Sequence, residues 1–252
     1  MITSMPERRP HAVLDAASRS AKALKIERLL NLVNRPQPLR LLEIGTGSGG
    51  IAQYFADHDS MRCEVVAVDV VDNRSVSDGY EFHLVKGVAL PFADANFDVV
   101  ISNHVIEHVG DVSAQAQHLS EIRRVMKQDG VGYLAVPNRW MLTEPHYRLM
   151  FLSWLPEAWR TPYLRAMHRG ENYDCVPLTV PHLERLLGNA GFKHRNLSVE
   201  ALRATFEIER PYTPGARLLR ALPDTPLRML RRLIPTLIYE LHRPDNGAPG
   251  RG

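Results

Sequence analysis

One stretch constrains the fold of this chain more than any other, the segment LLEIGTGSGGIA at residues 41–52. An apolar run ends around Glu43 and Ile44, and four glycines then fall within the six positions 45–50. Glycine weakens the interior of helices and strands, so a cluster this dense predicts a sharp turn whose backbone lies close to another group. A strand, a glycine turn and a helix in this order form a ligand crevice at the carboxyl edge of a parallel sheet.

The rest of the chain alternates between short apolar runs and amphipathic stretches. Such alternation predicts an α/β protein with a parallel sheet covered by helices on both faces. The predicted strands are residues 39–44, 63–70, 80–85, 97–102, 131–136, 192–199 and 236–242. The predicted helices are residues 12–33, 49–57, 113–126, 181–189 and 215–233, and Asp129-Gly130 is expected to end the third of them.

The length of 252 residues is sufficient for one α/β domain with an inserted cap. We divide the chain into an N-terminal helical segment (1–38), a core (39–138), a cap (139–180), a C-terminal part of the core with a basic helix (181–243) and a tail expected to be disordered (244–252). The cap contains all three tryptophans and five arginines, which is more aromatic and basic than a simple connection requires.

Charge and cysteine content bound the possible partners. A net charge of +3 does not indicate nucleic acid. Cys63 and Cys175 are far apart and form no metal-binding pattern, so we expect a reduced, cytoplasmic protein without bound metal. The N-terminus has no apolar core of a secretion signal, and no run of about twenty apolar residues is present. Six arginines cluster near the C-terminus: Arg217, Arg220, Arg228, Arg231, Arg232 and Arg243. They predict either a solvated helix face or a binding surface. Such a surface would bind anionic lipid at the periphery of a membrane, or a phosphorylated substrate.

The glycine spacing fits two templates for nucleotide ligands. Gly45, Gly47 and Gly50 match the dinucleotide pattern, whereas Gly45, Gly47 and Gly49 after Glu43 match the nucleoside-binding loop of methyltransferases. Asp69 ends the second predicted strand, where its carboxylate can accept hydrogen bonds from ribose hydroxyls or cap the following turn. The spacing alone leaves both templates open.

The segment LPFADANFDVVISNHVIEHV at residues 90–109 separates the two templates. With Glu43, the glycines, Asp69 and the later EIRRVMKQDG and VPN, it resembles a class I S-adenosylmethionine-dependent methyltransferase of the small-molecule branch with LPF, FDVV and EHV motifs. The resemblance covers residues 39–138 well and the segment ending at Ala190-Gly191-Phe192 more loosely. It implies a Rossmann-like, doubly wound, seven-stranded mostly parallel sheet whose last strand is antiparallel.

The resemblance also implies S-adenosylmethionine as cofactor and a set of binding residues. The glycines would hold the methionine part, Glu43 the loop or the amino group, Asp69 the ribose, and residues 86–88 the adenine. The full set is Glu43, Gly45, Thr46, Gly47, Gly49, Asp69, Val70, Gly87, Val88 and Asn103. Members of the family often have an acid shortly before LPF; this chain has Val85-Lys86-Gly87-Val88, so adenine would be held by backbone groups or by Asp94 or another acid.

Candidate catalytic residues follow the fourth strand and begin the cap. His104 would lie beside the transferred methyl, whereas His108 is expected to be structural. In the cap, His146 with Glu144 is a second candidate base, and the alternative is that this region only packs the cap. Arginines suit a phosphate or carboxylate of the acceptor, and aromatic side chains suit a sugar or lipidic group. The candidate substrate residues are Asn138, Arg139, Trp140, Tyr147 and Arg148.

These features predict a methyltransferase acting on a small molecule, with a hydroxyl of a saccharide, lipid-linked or other anionic metabolite as acceptor. A thinner resemblance of the cap to methyltransferases of saccharide and lipid-linked glycan pathways favours that acceptor class. Transfer to nitrogen or carbon stays open. A NAD(P)-dependent oxidoreductase on the same loop would need a Tyr-x-x-x-Lys or comparable pair, and the chain has none. Nucleic acid is not expected as acceptor, because Ser102-Asn103-His104-Val105 replaces the asparagine-proline tetrad of base methylation.

Overall fold

Within the described part of the chain, seven strands form one sheet, and helices cover both of its faces. The computed structural model describes residues 16–144, 147–173, 175–213, 215, 219 and 221–244. The strands are β1 Leu39–Ile44, β2 Cys63–Asp69, β3 Glu81–Leu84, β4 Phe97–Asn103, β5 Met126–Pro137, β6 Thr143–Glu144, β7 Leu149–Met150, β8 Lys193–Asn196 and β9 Thr236–His242. The α-helices are α1 Ala16–Leu30, α2 Gly50–Ala56, α3 Val112–Val125, α4 Glu157–Ala166, α5 Val180–Asn189, α6 Ser198–Ala204 and α7 Asp224–Met229.

The strand order of the large sheet is β3-β2-β1-β4-β5-β9-β8. β1 pairs in parallel with both β2 and β4, whereas β9 runs antiparallel to β5 and β8. This arrangement confirms the predicted doubly wound, Rossmann-like sheet with an antiparallel last strand. The chain leaves β1 and β4 toward opposite sides, so a crevice opens at their carboxyl ends.

Alternating side chains of the central strands build two apolar cores. In β1, Leu42 packs into a core with Leu119 and Ile122 of α3, while Leu41 packs into a second core with Ile26 of α1. Strands buried on both faces are apolar almost throughout, which is why the sequence shows them as continuous runs.

Three predicted boundaries were wrong. The sixth strand ends at Asn196, whose side-chain oxygen accepts the Ser198 amide at 3.0 Å, and the chain then enters α6. Residues 126–130 belong to β5 and form no helix-ending turn, because Met126 pairs with Phe97. The predicted basic helix at 215–233 is interrupted before Pro223, and only α7 and a single turn at Arg231–Leu233 follow; residues 214, 216–218 and 220 lie outside the described part.

The N-terminal helix is shorter than predicted. Residues 12–15 and the tail from 245 lie outside the described residues. At the other end, α1 stops because Asn31 adopts a left-handed conformation with φ of 52°, and a separate turn Leu32–Asn34 follows.

The cap sits over the carboxyl ends of β4 and β5. It contains the β6–β7 hairpin, a turn at Leu152–Trp154 and α4, around a small core of Tyr147, Leu149, Leu152 and Leu164. The segment that returns from the cap to the core donates the Val176 amide to the Glu107 carbonyl at 2.9 Å. The cap is therefore attached directly to the EHV segment.

Arg124 explains why the LPF and EIRRV motifs occur together. Its guanidinium donates to the carbonyls of Leu90 (2.9 Å) and Phe92 (2.6 Å). Glu121, which pairs with Arg124 at 2.7 Å, accepts the Leu90 amide at 2.8 Å. Helix α3 thereby holds the loop before β4 in place, next to the site.

Candidate functional site

The glycine loop, residues 45–50, is attached to the end of β2. Gly45 donates its amide to the Val68 carbonyl at 2.8 Å, and Gly47 donates to Asp69 Oδ2 at 2.9 Å. The other Asp69 oxygen accepts the Val70 amide at 2.7 Å. Asp69 therefore caps the turn after β2, which was the alternative to ribose binding, and it also fixes the glycine loop. That Asp69 binds ribose hydroxyls stays a prediction.

Each glycine of the loop meets a different neighbour. A Cβ on Gly49 would collide with the Tyr80 hydroxyl and the Val76 carbonyl oxygen. A Cβ on Gly50 would lie 2.8 Å from the Arg19 Cβ, so this glycine permits close packing of α1. At Gly47, with φ of 55°, the nearest atom is Arg19 Nη2 at 3.9 Å. The face of Gly47 is therefore the open one.

Glu43 lies beneath the loop and is 2% exposed. Its Oε2 accepts the Thr46 hydroxyl at 2.7 Å. Burial raises the pKa of Glu43 to about 8, although the Thr46 hydrogen bond and Arg19 act in the opposite sense. The carboxyl group is therefore mostly protonated at neutral pH, and its contact with Thr46 supports the interpretation that it holds the loop.

Arg19 is a site residue that sequence reasoning missed. It is 7% exposed, and its side chain makes no hydrogen bond or salt bridge with any residue of the described ranges. The signal was present in its spacing: Arg19 shares a helix face with Ala23, Ile26 and Leu30, all buried. An arginine on an apolar stripe, 26 positions before Gly45, is brought to the glycine loop only by packing.

The predicted adenine-side residues lie at the ends of β2 and β3. Val70 is 44% exposed, Gly87 is exposed and Val88 is half-buried. The Val85 amide donates to the Asp69 carbonyl at 2.9 Å, so residues 86–88 start beside Asp69. Asp94 accepts a hydrogen bond from Arg124 at 2.9 Å and is turned toward α3.

His104 directly follows β4, with Asn103 at the strand's end. It is half-buried and has a φ of 61°, a strained value for a residue other than glycine. Its Nδ1 lies 3.2 Å from Oε1 of Glu107, which is completely buried. The other Glu107 oxygen has no hydrogen-bond partner in the described part of the chain. His108 turns away and contacts Cys175 Sγ at 3.8 Å.

A buried histidine that sequence reasoning missed lies under the end of β4. His118 Nε2 is 2.9 Å from the Ser102 hydroxyl, and burial lowers the pKa of His118 to about 4. It is therefore neutral at physiological pH and packs on the inner face of α3 beside Leu119.

The start of the cap contains three predicted substrate residues. Asn138 is buried, and its amide group donates to the carbonyls of Arg232 (2.7 Å) and Ile234 (2.8 Å). It therefore joins the cap to the segment before β9. The Arg139 guanidinium lies 5.8 Å from the Trp140 ring centroid, and Trp140, 38% exposed, packs edge-on against Trp154.

The remaining cap candidates flank the β6–β7 hairpin. Glu144 is buried and accepts the Tyr147 amide at 2.8 Å, and the Tyr147 hydroxyl donates to the Asn172 carbonyl at 3.1 Å. These contacts agree with the alternative interpretation that Tyr147 only packs the cap. Arg148 is exposed. His146 lies outside the described residues, so a Glu144–His146 base stays a prediction. Within the described ranges no three His, Cys, Asp or Glu side chains form a group that could hold a metal.

The core of this chain is similar to known proteins. Residues 42–134 match the family described as methyltransferase domain. The chain is 29% identical over 188 residues to the ubiquinone biosynthesis O-methyltransferase of Azorhizobium caulinodans (68% of this chain, 66% of that protein). It is 26% identical over 188 residues to the demethylmenaquinone methyltransferase of Chlorobaculum parvum (69% and 72%). The chain therefore spans about two thirds of the length of these relatives.

A solved structure shows the same fold. The plantazolicin methyltransferase BamL, in complex with a triazolic desmethylPZN analog and S-adenosylhomocysteine, superposes with a TM-score of 0.56 at 13% identity, covering 90% of this chain and 85% of that chain.

The buried Glu43 predicts a specific dependence of stability on pH. Because its pKa is raised from 4.5 to about 8, the folded state keeps a proton that the unfolded state releases above its lower pKa. Stability should therefore fall as pH rises through this window, by at most about 1.4 kcal/mol per pH unit from this group. We expect Glu43→Gln to remove this part of the slope in urea unfolding between about pH 5 and about pH 8. The exposed Glu64 supplies the control Glu64→Gln, which should keep the wild-type slope; parallel curves for wild type and Glu43→Gln would contradict the prediction.

Proposed function

We propose that this chain, which carries a class I, Rossmann-like S-adenosylmethionine-dependent methyltransferase domain, transfers a methyl group to a hydroxyl of a small lipid-linked or otherwise amphiphilic molecule with an anionic group. The observation that carries the proposal is the glycine loop, which Asp69 fixes over the buried Glu43 at the carboxyl edge of the sheet.

The residues at this edge fit the parts of the cofactor. Beside the loop, the buried Glu43 can accept a hydrogen bond from the amino group of the methionine end, and the buried Arg19 can donate to its carboxylate. Gly47 has an open face, and Asp69 is half-buried at the end of β2 with lone pairs left for ribose hydroxyls. Val70 offers an exposed apolar side chain next to Asp69 for the adenine face.

When bound, the cofactor supplies a methyl group already activated by its sulfonium leaving group. The chain must then align the acceptor oxygen, exclude water and remove a proton. His104 is suited to removing that proton, because with Nδ1 donating to Glu107 its Nε2 carries the lone pair that accepts it. The cap, attached beside Glu107, would exclude water from the acceptor.

The acceptor class is supported by the cap and by the relatives. The names of the Azorhizobium and Chlorobaculum proteins both refer to quinones, which are apolar ring compounds. In this chain the cap exposes large apolar side chains that could contact such a ring, namely Trp140, Leu142, Met150, Phe151 and Trp154. Arg139 next to Trp140 adds a positive charge for an anionic group.

The exposed side chains of the cap and of the neighbouring segment before β9 also support contact with an anionic membrane. The acceptor would be taken from that membrane. Asn138 connects the cap to the turn at Arg231–Leu233, where Met229, Leu230 and Leu233 are more than half exposed among the exposed Arg228, Arg231 and Arg232. Apolar and basic side chains together are typical of surfaces that bind the interface of anionic bilayers. Among the described residues, none of the helices combines the length and apolar content needed to cross a bilayer.

Cofactor class is tested by calorimetric titration with S-adenosylhomocysteine and NAD(H). We expect micromolar binding of S-adenosylhomocysteine only, weakened about 10–100-fold in Asp69→Asn, because hydrogen bonds to a charged group contribute about 1.5–3 kcal/mol. The exposed Asp59 supplies the control Asp59→Asn, which should bind as wild type. Binding of NAD(H) without S-adenosylhomocysteine would replace the proposal by the oxidoreductase alternative.

The role of His104 is tested by turnover, with an acceptor found by screening lipid-linked and anionic hydroxyl compounds. His104→Gln should lower kcat by about 100-fold or more, since glutamine accepts no proton, while affinity for S-adenosylhomocysteine stays within about 3-fold. His83→Gln on the outer strand β3 is the matched control. Wild-type kcat in His104→Gln would remove this residue from catalysis.

Membrane contact is tested by sedimentation with vesicles of phosphatidylcholine, with and without phosphatidylglycerol. We expect wild type to bind the anionic vesicles, Trp140→Ser/Phe151→Ser to bind both less, and Arg231→Gln/Arg232→Gln to lose the preference for anionic lipid, since each basic side chain contributes about 1 kcal/mol. Tyr212→Ser, at an exposed position outside this surface, is the control. Wild type that stays in the supernatant with both vesicles would reject a membrane-docked enzyme.

A further inference from the structure

A buried arginine of the cap has no acidic partner. Arg160 lies on α4 and is 7% exposed. Its Nε donates to the Leu155 carbonyl at 3.0 Å, but within the described ranges no acid forms a salt bridge with Arg160, and its two terminal nitrogens donate no hydrogen bond. Arginine is rarely buried unless its charge is paired, so this side chain indicates a missing acceptor.

A buried hydroxyl without a partner lies against the same guanidinium. The guanidinium carbon of Arg160 is 5.7 Å from the centroid of the Tyr173 ring. The Tyr173 hydroxyl is covered and makes no hydrogen bond with the part of the chain that the structure describes. Burial raises the pKa of Tyr173, so the hydroxyl keeps its proton and can donate it to an acceptor. Two donor groups therefore lie together without an acceptor.

The acids in this part of the cap do not supply the acceptor. The charge of Glu144 acts on the Tyr173 hydroxyl, but no hydrogen bond joins the two, and Glu144 accepts the Tyr147 amide at 2.8 Å instead. Glu157, in the first turn of α4, is exposed. The missing acceptor is therefore expected to come from a ligand.

A second guanidinium acts on Arg160. Arg139 is half-buried at the start of the cap, and its Nε is covered without a hydrogen-bond partner among the described residues. Burial lowers the pKa of Arg160, and the positive charge of Arg139 lowers it further, so the two side chains are close enough to repel each other. An anion near both guanidinium groups would offset this repulsion.

This part of the cap is connected directly to the candidate base. Tyr173 precedes Val176 by three positions, and the Val176 amide donates to the Glu107 carbonyl at 2.9 Å. The Glu107 carboxyl group in turn contacts His104. A ligand group bound at Tyr173 is therefore held by the same segment that attaches the cap beside His104.

We propose that Arg139, Arg160 and Tyr173 bind a phosphate group of the acceptor. A phosphate monoester carries close to two negative charges at neutral pH and three strongly accepting oxygens, which match two guanidinium groups and one hydroxyl. A carboxylate has one charge and two oxygens and would leave part of this set unpaired. The inference rests on the proposed function and specifies the anionic group of its acceptor.

The experiment measures calorimetric binding of three probes to the full chain without cofactor. The probes are phenyl phosphate, benzoate and the soluble lipid phosphate dihexanoylphosphatidic acid. We expect wild type to bind both phosphates at least about 10-fold more tightly than benzoate. Arg160→Met and Tyr173→Phe should each weaken the phosphates by about 10-fold or more, since each removes hydrogen bonds to a charged group. Tighter binding of the lipid phosphate than of phenyl phosphate identifies a lipid-linked acceptor, and equal binding a soluble phosphate ester; both results support the site.

Two exposed residues provide matched controls. Arg169→Met, also in the cap, and Tyr212→Phe should bind all three probes as wild type does. Thermal melts without ligand give a second readout: Tyr173→Phe should melt no lower than wild type, because its hydroxyl makes no hydrogen bond with the described residues. If Arg160→Met does not fold, the test rests on Tyr173→Phe, which removes a single oxygen.

Three results would overturn the inference. They are equal binding of benzoate and phenyl phosphate, wild-type affinity for the phosphates in Tyr173→Phe, and absence of phosphate binding to a wild-type protein that binds S-adenosylhomocysteine. A variant that loses S-adenosylhomocysteine and phosphate binding equally would show a structural role only and would count against the site. Failure of wild type to bind S-adenosylhomocysteine would instead reject the proposed function, so the two failures are distinguishable.

Discussion

The site depends on the connection between the ends of β1 and β2. The Gly45 amide bonds to the Val68 carbonyl and the Gly47 amide to the Asp69 carboxylate, so the glycine loop is fixed by the neighbouring strand. Because parallel strands place their carboxyl ends at one edge, the same two bonds fix Asp69 and the start of α2 relative to each other. A side chain at Gly45, Gly49 or Gly50 would collide with a neighbouring residue. These neighbours are Val105, Tyr80 and Arg19, respectively.

Several buried polar groups around this loop and the end of β4 have no hydrogen-bond partner among the described residues. Arg19 Nε, Ser48 Oγ and Glu107 Oε2 are buried without hydrogen bonds within the described residues, and His104 has a strained backbone. Each of these features costs stability, and the two apolar cores on either side of the sheet offset that cost. Local violations of this kind are expected where a structure is arranged for a ligand.

Much of the fold could be predicted from local patterns, and the errors share one cause. The central strands were found because apolar runs mark strands buried on both faces, whereas the edge strands β3 and β8 contain no fully buried residue. The extension of the sixth strand to Val199 was wrong because the Asn196 side chain turns the chain into α6. The turn expected at 129–130 became part of β5 because Met126 pairs with Phe97, almost thirty residues away. In both places a specific contact overrode the local preference.

The sequence by itself determined the class of the sheet, the glycine loop, Asp69 at the second strand and His104 at the fourth, since each follows from residues close together in the chain. Only the tertiary structure decided that Arg19 reaches Gly47, that Asn138 binds the segment before β9, and that Glu107 supports His104 from a buried position. An arginine on an apolar helix face acquires a role only when that helix packs against the glycine loop. Contacts of this kind depend on how distant segments pack, and no local pattern encodes that packing.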